Sequence, residues 1–364
     1  MPLWIQGHNQ LAQLRALMGK PAQATASFER ALVQQPGALA LWRGLLDLHL
    51  AHEDYETQAT IVTRAQAAGH PITQIADHAA IAAAERGDVD RADALFAAAP
   101  AAMRAGLNIW QVRHFLRTGR LGPALSLIDD LVDAGGPQQS AIWPYAAIAW
   151  RLAGDPRYDW LIGNPRLVAE MDLRDRLPPL EMLAAHLREL HVARGEYRDQ
   201  SVRGGTQTDG PLFCRADPIV RALRAAVVTA VETYLAALPP SDAGHPLLAL
   251  RRDRRPRFAG SWSVRLRGGG HHANHVHPQG WISSALYISL PETRPSDAAD
   301  AGWLTLGEPQ AALGVTLPPI QIVKPAPGRL ILFPSWLWHG TRPFGEGERL
   351  TVAFDVAPPR WAWA

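Results

Sequence analysis

At 364 residues the chain exceeds one ordinary core, and with roughly 100 to 200 residues per domain it is expected to form two. Thirty-six basic residues against 34 acidic ones leave a formal charge of +2, so no overall attraction to nucleic acid or to a membrane surface is expected. The lone Cys214 excludes an intrachain disulfide framework and a cysteine-cluster zinc site, and it fits a reducing compartment. His8, Asn9, Gln10 and Arg15 break up any signal-peptide core, and no run of about 18 apolar residues follows, so a soluble cytoplasmic protein is expected.

Residues 1–155 are rich in Ala and Leu and nearly free of strand signals. Gly19, Glu53, Gly87, Gly119 and Gly154 occupy corresponding turn positions at intervals of about 34 residues, one helical hairpin each. Around them recur Leu11, Ala24, Phe28, Ala31 and Pro36, then Trp42, Leu45, Ala65 and Pro71, then Ala92, Phe96, Ala99 and Pro100, with weaker fourth and fifth units. The pattern resembles tetratricopeptide repeats, in which small residues let two helices approach and a large aromatic fills the gap. No single unit can bury its apolar face alone, so the resemblance implies a stacked, curved solenoid.

From residue 156 the character changes. Residues 156–250 read as an irregular supporting segment with helices over 180–193 and 218–235, separated by a polar loop at 200–208. That loop carries Arg203, Thr206 and Gln207, and no Gly-Lys-Ser/Thr follows to make it a phosphate-binding loop. Beyond Pro256 the apolar period becomes two, with strands expected over 258–266, 281–290, 302–306, 320–324, 329–333, 340–343 and 350–356. Short strands at this spacing suggest a double-sheet jelly roll over 251–364, making the whole an α+β chain of two domains, 1–155 and 156–364.

Within the strand region stands His275-Val276-His277-Pro278, and much later His339 and Arg349-Leu350-Thr351. Alternation along a strand puts His275 and His277 on one face, where both can reach one ion, and a neighbouring strand can deliver His339. The usual non-haem iron(II) site has two His and one carboxylate, leaving positions open. Here His277 takes the place of the carboxylate in His-x-Asp. Three readings follow: His277 is a third ligand, it is an outer group while a carboxylate comes from elsewhere, or His275 and His339 hold the metal alone. Asp297, Asp300 and Asp355 are not obvious substitutes, and His271 and His272, in a Gly-rich loop, read as bystanders.

From about residue 156 onward, most sharply over 258–356, the chain resembles bacterial 2-oxoglutarate/iron(II)-dependent oxygenases of a His-x-His-Pro group. The likeness rests on His275 to Pro278, Trp281 to Tyr287, Pro327-Gly328, Leu332 to Ser335, His339 and Arg349 to Thr351. It implies a double-stranded β-helix core with iron(II) at His275, His277 and His339, 2-oxoglutarate as cosubstrate, and O2 as oxidant. The distal carboxylate of 2-oxoglutarate needs a cation and hydroxyl donors, which Arg349, Thr351 and Tyr287 offer. Trp262, Trp281, Trp303, Trp336 and Trp338 are candidates for a wall that excludes water.

A helical array beside such a barrel suggests a peptide or protein substrate held by the repeats and hydroxylated at one C–H bond, with Arg203, Thr206, Gln207 and Trp281 as candidate contacts. Two alternatives stand beside it. One is a non-catalytic repeat scaffold with a degenerate barrel. The other is a three-histidine cupin-type metalloenzyme without 2-oxoglutarate, which has no need of an Arg349-x-Thr351 clamp.

Overall fold

The computed structural model describes residues 2–135, 139–193 and 201–359. The first part is helical: α1 (Ile5–Leu17), α2 (Ala26–Gln34), α3 (Leu39–Ala51), α4 (Tyr55–Ala67), α5 (Ala76–Arg86), α6 (Val89–Ala98), α7 (Ala101–Arg117), α8 (Leu121–Ala134) and α9 (Gln139–Ala153). The five expected turn positions share one backbone solution. Gly19, Glu53, Gly87, Gly119 and Gly154 have φ of 75, 54, 82, 70 and 64°, just past α1, α3, α5, α7 and α9. After each, an N–H reaches back to a helix carbonyl: Lys20 to Arg15, Asp54 to His49, Asp88 to Ala83, Arg120 to Phe115 and Asp155 to Trp150, all at 2.8–3.0 Å. This closure satisfies the last helical carbonyls and requires the left-handed conformation, which glycine adopts without penalty and Glu53 does not.

Two compact units result: residues up to Ile128 with Ala312–Gly314, and the remainder from Asp129. In the first, Phe28, Leu41, Leu45 and Ile61 are fully enclosed in one cluster with Ala31 and Ala65, and the repeated small residues Ala24 and Ala92 are buried as well. A Cβ on Gly44 would fall 2.9 Å from the Phe28 ring, so a small residue there lets the helices close around the aromatic. Helix α9 belongs to the second unit, because its Pro144 carbonyl accepts from Trp338 Nε1 (3.1 Å) and its Arg151 donates to the Pro318 carbonyl (2.8 Å).

The second unit adds helix α10 (Arg157–Ile162), strand β1 (Ala169–Asp172), helix α11 (Leu180–Leu190), strand β2 (Val202–Gln207) and helix α12 (Pro218–Ala237). There follow β3 (Phe258–His272), β4 (Ile282–Ser289), β5 (Leu304–Leu306), β6 (Gln321–Val323), β7 (Arg329–Pro334), β8 (His339–Thr341) and β9 (Glu348–Val356). They form an antiparallel six-stranded sheet ordered β1-β7-β4-β9-β3-β2 and a three-stranded one ordered β6-β5-β8. The segment expected as a polar loop is therefore an edge strand. Gly204, at φ 71°, makes a bulge in β2 and comes so close to Gly270 that a Cβ would sit 2.9 Å from its Cα, which lets two glycine-rich segments pair.

Alternation along β9 divides the large sheet into two unlike faces. Leu350, Val352, Phe354 and Val356 join Leu286, Ile288, Leu330 and Leu332 in a core closed by Leu183 and Leu187 of α11 and by Val220, Leu223, Val227 and Val231 of α12. Arg349, Thr351, Ala353 and Asp355 take the opposite face, where Trp262, Val264 and Leu266 of β3 are their register partners or neighbours. Two apolar helices thus fix the sheet from behind, leaving its other face free to carry polar groups.

Candidate metal centre

His275 and His277 follow the end of β3 in a segment that makes a single bridge rather than a continuous strand. His275 exchanges both backbone hydrogen bonds with His339 at the start of β8, at 2.9 and 3.0 Å, and the His277 N–H donates to the Ser335 carbonyl at 2.9 Å. Pro278, which lacks an N–H, follows directly, and no ladder continues. The three rings meet all the same. One nitrogen from each lies within 4.8 Å of the others, and the ring centroids are 4.1 Å (His275–His339), 4.9 Å (His275–His277) and 5.1 Å (His277–His339) apart.

Each ring has its Nδ1 committed to an acceptor. His275 donates to the Ala273 carbonyl (2.8 Å), His339 to the Leu337 carbonyl (2.9 Å) and His277 to Asp355 Oδ2 (2.6 Å). That assigns the lone pair to Nε2 in all three, the form in which imidazole binds a metal. Burial, reinforced by the neighbouring imidazoles, holds His275 and His339 well below the usual imidazole range, so both are neutral at physiological pH. Ser201 Oγ lies 3.1 Å from His275 Nε2 and 3.1 Å from Nδ1 of His272, whose ring stacks on His275. Burial first, then the positive charge of Arg349, pushes His272 down to about 3.

Farther along the same face of β9, Arg349 is 2% exposed. Its Nη1 donates to the Gly302 carbonyl at 3.0 Å, its guanidinium carbon lies 5.0 Å from the centre of the Tyr287 ring, and its Nε has no hydrogen-bond partner among the described residues. Among the described residues no carboxylate pairs with it. The Tyr287 hydroxyl is likewise buried and without a partner among the described residues, and Thr351 stands opposite Tyr287 in the β4–β9 register. Burial lowers the Arg349 pKa and raises that of Tyr287, in each case outweighing the opposing influence of the other group. A buried cation without a counter-ion and a buried hydroxyl without an acceptor, as both stand among the described residues, are costly to a fold unless something binds them.

Residues 260–355 match the family described as "Putative 2OG-Fe(II) oxygenase". That is an oxidoreductase family that uses iron(II) and 2-oxoglutarate, and the matched segment contains all three histidines, Arg349, Thr351 and Tyr287. No curated protein matches the chain. Among solved structures, the chain is similar to a viral collagen prolyl hydroxylase of Paramecium Bursaria Chlorella virus-1, solved with 2OG, at 13% identity and TM-score 0.37, covering 54% of this chain and 99% of that one. A Pseudomonas putida prolyl-4-hydroxylase matches at 20% identity and TM-score 0.33, covering 53% and 94%. HygX from Streptomyces hygroscopicus, with nickel and 2-oxoglutarate bound, matches at 13% and 0.35, covering 53% and 83%.

Of the other expected contacts, Trp281 and Thr206 are engaged elsewhere. Trp281, just before β4, belongs to the helix-side core, with its Nε1 donating to the Leu247 carbonyl at 3.1 Å. Thr206 meets His191 at 2.9 Å, and Arg203 donates to the Val202 carbonyl. Gln207 pairs in register with Val264 and keeps a buried, unpartnered Oε1. Of the tryptophans, Trp262 stands 5.9 Å from the His277 ring, whereas Trp338 packs edge-on against Tyr145 of α9. Sequence reading passed over Asp355, Ser201 and His272, all of which touch the cluster. The alternation of β9 held a usable signal for Asp355, since an acidic residue at even spacing from Arg349 must share its face.

Proposed function

We propose that the protein is an iron(II)- and 2-oxoglutarate-dependent dioxygenase that hydroxylates a C–H bond on a peptide or protein side chain. The observation that carries this reading is Arg349: a buried guanidinium without a carboxylate partner among the described residues, on the same strand face as the Asp355 that touches His277. His275, His277 and His339 would hold the metal through Nε2, and Arg349, Thr351 and Tyr287 would receive the distal carboxylate. Bound together, iron(II) and 2-oxoglutarate would supply dioxygen activation and the oxygen atom inserted into substrate. The protein's part is orientation and exclusion of water. The carbonyls of Ala273 and Leu337 fix two rings, Phe333 packs 4.7 Å from His339, and Trp262 shields His277.

A metal-free scaffold would leave the cation of Arg349 buried with no function, at a cost of several kcal/mol. A three-histidine site without 2-oxoglutarate would leave it equally unexplained. The peptide substrate is argued from the helical hairpins, whose five-fold repetition of one turn supports a tetratricopeptide-like surface suited to an extended chain.

Anaerobic titration of the full-length protein with iron(II) and 2-oxoglutarate is expected to develop the weak visible charge-transfer band of the chelate. Folded protein without the band would refute the cosubstrate assignment. With the band established, peptides should gain one oxygen atom in step with succinate release while free amino acids do not; the reverse preference would reject a peptide substrate.

A further inference from the structure

Both carboxylate oxygens of Asp355 are engaged beside the metal centre. Its Oδ2 accepts from His277 Nδ1 at 2.6 Å, and its Oδ1 accepts from Ser283 Oγ, also at 2.6 Å. Ser283 is held in turn by Ser335 Oγ at 2.9 Å, and the Ser335 carbonyl takes the backbone N–H of His277. Ser283 and Ser335 are enclosed, at 1% and 0% exposure, and Asp355 is 9% exposed. Gly280 closes the arrangement from the side: a Cβ there would stand 2.5 Å from Ser335 Oγ and 3.4 Å from the Asp355 Cβ. Both oxygens of one carboxylate are therefore aimed by the fold, one at the ring of His277 and the other at a serine that stops the carboxylate from turning.

The electrostatics give this a purpose. Three imidazole ligands bring no negative charge to a divalent ion, whereas the common two-His-one-carboxylate set brings one. A carboxylate hydrogen-bonded to the far nitrogen of a ligating histidine fixes its tautomer and increases its basicity. We propose that Asp355 is a positioning residue that supplies, through His277 and from outside the coordination sphere, the negative charge that the carboxylate of His-x-Asp would supply from within. The inference rests on the metal-centre reading above and goes further by naming how His277 can stand where a carboxylate is expected. It also assigns the order of contact: His277 touches the metal, Asp355 touches His277, and Ser283 touches Asp355.

The test measures cobalt(II) binding to the full-length protein by calorimetry, with the cobalt d–d spectrum as a second readout and no turnover required. Asp355→Asn keeps an acceptor for His277 while removing the charge, and should weaken cobalt binding by about 10–100-fold, the usual effect of losing such a partner. Its d–d bands should shift without losing their overall form, and Asp355→Glu should recover part of the affinity. His277→Ala should weaken binding more than Asp355→Asn does. Equal affinity and an unchanged spectrum in Asp355→Asn would overturn the proposal while leaving the metal centre intact. So would loss of binding in Asp355→Asn with normal binding in His277→Ala, because Asp355 would then be a ligand itself. Failure of the unaltered protein to bind cobalt would instead remove the metal-centre reading. Should Asp355→Asn fail to fold by circular dichroism, Ser283→Ala decides: it frees Oδ1 alone and should lower affinity severalfold, and an unchanged constant would count against the proposal.

Discussion

The two faces of the six-stranded sheet are made from the same strands and do opposite work. On β9, Leu350, Val352, Phe354 and Val356 enter an apolar core with two helices, while Arg349, Thr351 and Asp355, one position out of phase, face the imidazoles and the buried Tyr287. The first face is satisfied by burial alone. The second holds, among the described residues, a cation without a counter-ion and a hydroxyl without a partner, groups that weaken a fold unless something binds them. The contrast teaches that stability and site chemistry are segregated by side-chain parity, so a one-residue register slip would exchange them and destroy both.

The largest expected effect falls on the apolar face. Phe354 is fully buried between the Phe213 and Phe258 rings, and Phe354→Ala should cost about 3–5 kcal/mol in chemical denaturation. Protein that remains folded at low denaturant should still bind metal with unchanged affinity; a matching loss of affinity would mean that the faces are not separable.

The polar face should respond with the opposite sign. If Arg349 receives the cosubstrate as proposed, Arg349→Met should weaken 2-oxoglutarate binding to the metal-loaded protein by about 1.5–3 kcal/mol, or roughly 10–100-fold. The apo melting temperature should stay level or rise, since an unpaired buried charge is lost. A clear fall in melting temperature would show that Arg349 serves the fold rather than a ligand.

The smallest effect concerns pH. His191, at the end of α11, donates or accepts at Thr206 Oγ1 (2.9 Å) and Ser263 Oγ (3.1 Å), and burial, with help from Arg265 and against Glu348, lowers its pKa to about 4. A folded-state pKa below the unfolded value of about 6.5 means that the unfolded chain takes up the proton first. The stability His191 contributes should thus be complete above about pH 6.5 and disappear as pH falls toward 4. Melting curves for the protein and for His191→Gln should differ in slope across that window; parallel curves would assign the acid sensitivity elsewhere.

Much of the local architecture was legible because it depends on short-range rules. A left-handed residue closing a helix every hairpin marks Gly19, Glu53, Gly87, Gly119 and Gly154 as equivalent, and each of the seven expected strands has a counterpart. His275, His277, His339 and Arg349 could be nominated from spacing and side-chain chemistry. Period two says which residues share a face. It is silent on which strand lies alongside, because pairing is decided by contacts between distant segments. The order β4-β9-β3 is what brings Asp355 to His277 and Ser283, and the pairing of β2 with β3 turns a polar loop into a strand and sets Ser201 between His272 and His275. Likewise Trp281, apolar and close to the motif, lies just outside β4, where strand period does not assign a face, and its ring joins the helix-side core. Residue types and their periods determined which groups were on offer, and the long-range ladder alone decided which of them meet.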